Sequence, residues 1–390
     1  MVLRITPRAS AFSVKSIHVT QKIRSNLRHA IHYPFSNPQS ACFRQERRRF
    51  RTSTALSSSY PPDFSSYPYD VITSSKSQTV KKIQALLTKR KKRMDLGQTV
   101  VEGPRMVFDL LNNPKTTSLI RQVVVSLPEY DDRDDYRSNL NEALHATKND
   151  DDKKDLLIQL ATPEVFRSCS DTMTPQGIVA IVDIPSYEEV GDETVGVNTA
   201  LHLVLDGVSD PGNLGTLLRS SLAVGVKSVI LLPGCCDVWN PKAVRSGMGA
   251  SFQIPICACD SWDDGLATLN ELGVRSVYAA TMIEEENGDG NYGNEALSNN
   301  AASPKSSVPY YQVDWVNENA ALVVGSEGNG LSEQVRRALM VDVDGNEGDT
   351  PILKATHIPM EAGIESLNAA VCGSVILFEY SRQRALFKES

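Results

Sequence analysis

Ile358-Pro359-Met360, followed by Glu365-Ser366-Leu367-Asn368-Ala369-Ala370-Val371-Cys372-Gly373-Ser374-Val375-Ile376-Leu377-Phe378-Glu379-Tyr380, reads as a short extended piece, a tight polar turn and a strongly apolar helix. Ser366 or Asn368 can cap that helix, because a short oxygen side chain accepts from the orphan N–H groups of a first turn. Behind the cap, Leu367, Ala370, Val371, Ser374, Val375, Leu377 and Phe378 recur at spacings of three and four. A Ser-x-Asn pair at the mouth of a buried helix can be a cap and nothing more. Two earlier segments, residues 208–220 and 323–331, weigh against that bland reading.

In open α/β sheets ligands bind beyond the carboxyl ends of the strands, and all three segments stand at such ends. The first is Asp210-Pro211-Gly212-Asn213-Leu214-Gly215, after a strand over 200–205 and leading into a helix over 214–224. Asn213 stands where a helix N-cap belongs. Arg219 follows among Leu217, Leu218, Leu222 and Ala223, a setting in which an unpaired buried charge is costly. It reads either as half of an internal salt bridge or as a clamp on a phosphate or carboxylate. The second is Gly325-Ser326-Glu327-Gly328-Asn329-Gly330-Leu331, after a strand over 320–324. It matches neither G-x-x-x-x-G-K-[ST] nor G-x-G-x-x-G, so it implies no P-loop or dinucleotide fingerprint. Glu327 can also be a first-turn residue favoured by a helix dipole. Asn213, Arg219, Glu327, Ser366 and Asn368 together describe a small-ligand site at the edge of a sheet, and spacing alone does not name its reaction.

The 390 residues allow two domains and a large core. Composition is ordinary for a soluble protein, and no run approaches the roughly 18 uninterrupted apolar residues of a membrane span. Seven cysteines with no C-x-x-C argue against a disulfide frame or a zinc module, and no metal site is expected. The net charge of −7 conceals an asymmetry. Residues 1–60 hold eleven Lys/Arg and one acid, leaving 29 basic and 46 acidic residues beyond, a net of −17. An Arg-rich, Ser-rich, acid-poor start is the composition of an organellar transit peptide, so residues 1–62 are set aside as a targeting segment and linker. The competing reading is a basic tail that grips nucleic acid.

Two α/β domains follow. Residues 63–190 begin with a single basic helix ending at Arg93, whose Lys81, Lys82, Lys89, Arg90 and Arg93, with Arg105 beyond it, form a candidate phosphate-contacting face. The plainer alternative is a solvated helix face. Residues 130–155 carry two acidic clusters and read as a surface insertion. Residues 195–386 alternate strands and helices, which predicts an open, largely parallel sheet covered on both faces. Residues 284–309, rich in Asn, Gly, Ser and acid, read as a second insertion.

The three loops resemble the three signature motifs of the SpoU/TrmH family of RNA ribose 2′-O-methyltransferases, in the SPOUT superfamily. Val208-Ser209-Asp210-Pro211-Gly212-Asn213-Leu214-Gly215-Thr216-Leu217-Leu218-Arg219-Ser220 is similar to the first, 323–331 to the second and 358–368 to the third; Ser246-Gly247-Met248-Gly249-Ala250-Ser251-Phe252 between them also fits. The likeness covers about residues 199–384. The first domain resembles the family's L30e-like substrate-binding domain, through its basic helix, Val101-Glu102-Gly103-Pro104-Arg105, and Thr174-Pro175-Gln176-Gly177. Ala369-Ala370 departs from the more usual Val-Ser or Val-Ala, and both acidic segments are longer than in compact bacterial members.

The resemblance implies a deep trefoil knot, which the general rules of chain topology would not suggest. It also implies S-adenosylmethionine as cofactor and a homodimer. By position it assigns the cofactor to Gly325, Ile358, Met360 and Leu367. It makes Arg219 the catalytic arginine, with Asn213, Glu327, Ser366 and Asn368 around it. A guanidinium with a reference pKa near 12.5–13.8 is neutral roughly one time in a million at pH 7, which favours a phosphate clamp over a general base. The reaction this implies is methylation of a guanosine ribose in organellar large-subunit rRNA, in the mitochondrion or alternatively the chloroplast. The alternatives are a tRNA substrate, or an RNA-binding ribosome-assembly factor with secondary activity.

Overall fold

A computed structural model describes residues 64–148, 156–186, 200–281, 307–340, 351–361 and 366–389. The expected targeting segment at 1–62 lies outside them, as do 149–155 of the first expected insertion and 284–306 of the second. Pro62–Ser390 is one compact unit with two sheets.

The first sheet holds β1 (Asp70–Ile72), β2 (Gln98–Glu102), β3 (Ile120–Ser126), β4 (Leu157–Ala161) and β5 (Ile178–Asp183), in the order β1-β4-β3-β5-β2. β1, β4 and β3 are parallel, and β5 runs antiparallel to both β3 and β2. The second sheet holds β6 (Leu201–Asp206), β7 (Ser228–Leu231), β8 (Ile256–Ala258), β9 (Ser276–Ala280), β10 (Ser307–Pro309), β11 (Ala320–Gly325) and β12 (Ile352–His357). Its order is β10-β12-β9-β11-β6-β7-β8, and every neighbouring pair is parallel. All of β6 is buried, as befits a central parallel strand covered on both faces.

From β6 the chain steps outward to β7 and β8, then crosses over, so that β11, β9 and β12 lie on the other side. The carboxyl ends of β6 and β11 therefore flank a topological switch point, where such sheets bind ligands. The helix Pro211–Val224 leaves β6 there with proline at its first position, whose missing N–H costs nothing at a helix start. It packs tightly. A Cβ at Gly215 would lie 2.7 Å from Gly247 N and nearer still to Ser246 Oγ and Ala243 O. One at Gly373, in the helix Ala369–Glu389, would run into Leu217.

Several expectations need correcting. The basic helix is two helices, Gln78–Thr88 and Arg90–Leu96, because Lys89 is extended (φ −119°, ψ 106°). Much of 130–155 is not an insertion: Leu127–Asp132 and Asp134–Lys148 are helical, and Tyr136 and Leu140 are buried in the core. Three-residue edge strands at Asp70–Ile72 and Ser307–Pro309 are too short for a periodicity to register, and the latter falls within the second expected insertion. Asp210 rather than Asn213 caps its helix, accepting from Asn213 N–H at 2.9 Å.

Replacing Gly215 with alanine forces backbone apart at the packed helix, and should cost roughly 2–3 kcal/mol in a denaturant titration. His202, buried in β6 with Nδ1 2.7 Å from Ser228 Oγ, has its pKa pushed down to about 4 by burial, with Lys227 adding to the effect. The unfolded chain takes up this proton near pH 6.5 and the folded chain only near pH 4. Stability should therefore fall between those values by up to about 3 kcal/mol as pH drops. His202→Asn should flatten that part of the pH–stability curve in urea titrations.

Candidate active site

Three loops converge at the switch point through one side chain. Asn213, in the first turn after β6, donates from Nδ2 to Glu327 Oε2 at 2.8 Å in the loop after β11. Its Oδ1 accepts from Asn368 Nδ2 at 3.0 Å. Asn368 in turn caps the last helix, its Oδ1 accepting from Ala370 N–H at 3.0 Å and Val371 N–H at 3.3 Å. The cap and the site are thus the same residue.

Asp210 Oδ2 lies 3.5 Å from Lys242 Nζ, and its carboxyl pKa is lowered, chiefly by the Asn213 backbone N–H. Buried Asp206, at the end of β6, accepts from Ser332 N–H at 2.6 Å and ties the β11 loop down. Sequence reasoning assigned neither aspartate to the site, although Asp210-Pro211 carried the signal of a cap followed by proline at the first helical position. A cleft of 490 Å³ opens between the β6 and β11 loops, lined by Asp206, Asp210, Asn213, Glu327, Asn329 and Arg336 among others.

The remaining expected residues divide. Gly325 ends β11, with no room for a Cβ against Gly330 and Leu331. Ile358 follows β12, two strands from β11 in the sheet, so it stands about 10 Å away along the same edge. Ile358 and Leu367 are half-buried, Met360 and Ser366 exposed. None of these four lines the cleft. Arg219 is exposed, contrary to the buried setting expected for it. It lies six residues after Asn213, about 9 Å along the helix and about 120° around it, so the two point to different sides.

Among the basic candidates, Lys81, Lys89, Arg90 and Arg105 are exposed and Lys82 is half-buried. Arg93 is withdrawn from that face. It is 2% exposed, and its Nε and Nη2 donate to Asp237 Oδ2 at 2.9 and 2.6 Å while Nη1 donates to Leu86 O at 2.6 Å. The break at Lys89 turns it inward. Burial pushes the thiols of Cys235 and Cys236, just beyond the cleft, up to about 11, so neither is a thiolate at neutral pH. Among the described residues, no group of three His, Cys, Asp or Glu side chains could hold a metal ion, and no helix is long and apolar enough to cross a membrane.

Residues 200–378 match the SpoU rRNA Methylase family, and residues 77–180 match the MRM3-like substrate binding domain. The chain is 29% identical over 330 residues to a mouse protein named rRNA methyltransferase 3, mitochondrial, covering 77% of this chain and 71% of that one. It is 28% identical over 307 residues to the 23S rRNA (guanosine(2553)-2′-O)-methyltransferase of Bacillus subtilis, covering 79% and 97%. Its fold is similar to that of an AdoMet-bound rRNA methyltransferase from Sinorhizobium meliloti, with a TM-score of 0.58, 24% identity and coverage of 81% and 98%. All three converging loops fall inside the first of these stretches, so residues 200–378 form a domain of the SpoU rRNA Methylase family.

Proposed function

We propose that this protein transfers a methyl group from S-adenosylmethionine to a ribose 2′-OH, on a guanosine of mitochondrial large-subunit rRNA. The observation that carries the reading is the Asn368–Asn213–Glu327 hydrogen-bond chain, which joins all three loops of the SpoU-matched region. The substrate is argued from the named relatives, which act on rRNA in mitochondria and bacteria. The Arg-rich start of the chain supports the compartment.

The residues present fit the cofactor. An added Cβ at Gly328 or Gly330 meets nothing within 4 Å, so the backbone of this loop is open to a ligand. Gly325, Ile358, Met360 and Leu367 would hold the cofactor along the carboxyl edge of the sheet, largely through backbone groups. Bound there, it supplies a sulfonium methyl, already an electrophile, so no covalent enzyme intermediate is required. The protein must then position the ribose and receive its proton. Glu327 uses Oε2 for Asn213 while Oε1 makes no hydrogen bond among the described residues, which makes it the carboxylate best suited to take that proton. The adjoining cleft has the volume for a nucleotide. Ser366 and Asn368 flank the reacting hydroxyl.

Arg219 serves as a phosphate clamp, and its outward setting fits a seam between two copies. Val371 and Phe378 are 49% and 53% exposed on the last helix, on a face that Ser374 shares. Ser374 is hydrogen-bonded at 2.8 Å to Ser220 beside Arg219, and Leu222 is exposed on the same helix. An apolar strip crossing two helices is a surface that a second copy would cover. The knot belongs to the same reading. β12 lies three strands from β6, yet Asn368, beyond the end of β12, meets Asn213, and this pairing is what supports the knot. Lys81, Lys82, Lys89, Arg90 and Arg105 would hold RNA phosphates on the first domain (63–190), beside the catalytic domain (195–386).

Ribose-methylation maps of mitochondrial rRNA, taken with and without the protein, should differ at one large-subunit guanosine. Asn213→Ala should lower the rate at that site by about 10²-fold with the fold kept; identical maps would remove the proposal. Phe378→Asp should convert a dimer to monomer by sedimentation and abolish turnover. A variant that stays dimeric and fully active would place the interface elsewhere.

A further inference from the structure

The two sheets do not merely touch; they are bonded through residues 237–253, the connection between β7 and β8. From the first sheet's side, Arg93 forks onto Asp237, both side chains being over nine-tenths buried. Thr99 Oγ1 in β2 donates to Trp239 O at 2.7 Å. Asn113 Nδ2 donates to Gln253 Oε1 at 3.2 Å, and Arg245 Nη1 donates to Asp171 Oδ1 at 2.9 Å. Buried Trp239 and Phe252 pack against each other at 5.3 Å. Met248 holds a left-handed φ of 50°, a conformation that a non-glycine residue keeps only where its surroundings impose it.

The opposite side of this connection cradles the site. Ser246 Oγ donates to Pro211 O at 3.0 Å, Lys242 pairs with Asp210, and Gly247 N stands against Gly215. The connection is a wedge between the first sheet and the helix that bears Asn213. Simple adhesion needs only apolar contact. A buried guanidinium–carboxylate fork adds little net stability, and its recognised use is to fix one arrangement against others.

We infer that Arg93 and Asp237 are positioning residues, which lock the first sheet at one orientation so that RNA held on it presents the target ribose to Glu327 and Asn213 at a set reach. The inference rests on the methyltransferase reading above. Neither residue touches the substrate. Their effect is confined to RNA that engages both sheets, because only such RNA feels the angle between them.

The test uses the full chain with S-adenosylmethionine and two RNAs: a long structured rRNA fragment and a short oligonucleotide carrying only the target nucleotide. Arg93→Lys keeps the charge and loses the fork. It should lower kcat on the long RNA about tenfold with KM nearly unchanged, and leave the short RNA and cofactor affinity unaltered. The double variant Arg93→Met with Asp237→Leu keeps the contact packed, and should fold and show the same split even if a single variant does not fold. Equal losses on both RNAs that track the fall in Tm, or no loss on either, would overturn the inference. Methyl residual dipolar couplings give a readout that needs no activity. One alignment tensor should fit both sheets in the wild type and two should be needed in Arg93→Lys. Two tensors in the wild type would refute the lock, whereas a wild type with one tensor and no turnover on either RNA would count against the methyltransferase reading alone.

Discussion

Asn213 has one amide donor group and one carbonyl acceptor to spend, and it spends them on two different loops. The order of dependence starts at the last helix. That helix needs its first N–H groups satisfied, so Asn368 turns its oxygen towards Ala370 and Val371. Its nitrogen then has to point the other way, where only an acceptor will do, and Asn213 Oδ1 is there. The Asn213 nitrogen is left as a donor and meets Glu327. A helix cap on the last element thus fixes the direction of a carboxylate after β11, through a residue after β6. An aspartate in place of Asn213 would set two carboxylates against each other, and an alanine would release both neighbours. The amide is required because it alone presents opposite polarity at its two ends.

What was legible in the sequence follows from what local chemistry can encode. Proline at a helix start, glycine where backbones touch and Asn or Asp at a cap are all decided within a few residues. The loops at 208–220, 323–331 and 358–368 were therefore readable, and so were the strands before them. The setting of Arg219 was not. Its neighbours Leu217 and Leu218 are buried, and their apolar character was extended to the whole turn, whereas a helix rotates 100° per residue and leaves Arg219 and Leu222 on the outer side. Arg93 shows the converse error. It belonged by composition to a basic run, but its fate was set by Asp237, 144 residues away. No periodicity carries information over that separation.

The acidic balance of the chain looks ill-suited to an RNA partner, but a net charge does not say where the cations stand. Asp237 is neutralised by Arg93, Asp183 by Arg121, Asp171 by Arg245, and Asp210 lies beside Lys242. The lysines and arginines of 81–92 are left largely exposed on their two short helices, with no ion pair among the described residues. Charge that is paired at close range presents little field beyond a Debye length of about 8–10 Å, whereas an unpaired cluster does. Net charge is therefore a poor guide here, and the local arrangement of cations is the relevant quantity.

The same accounting bears on why the molecule carries a second sheet at all. Asn213, Glu327 and Asn368 lie within the second sheet and its helices and need nothing from the first to meet one another. The two short helices packed with the first sheet contribute the exposed cations, and the 237–253 connection contributes the stiffness between the two sheets. A flexible tether would raise local RNA concentration but would leave the angle of approach to chance, and misplacing a reacting group by about 1 Å can cost about 10²-fold. Burying Arg93 removes one cation from the exposed basic face of the first domain, at the position where its ion pair with Asp237 joins the two sheets. The exposed cations and the Asn213–Glu327–Asn368 cluster are far apart in sequence, and the contacts of the 237–253 connection join the parts of the molecule that carry them.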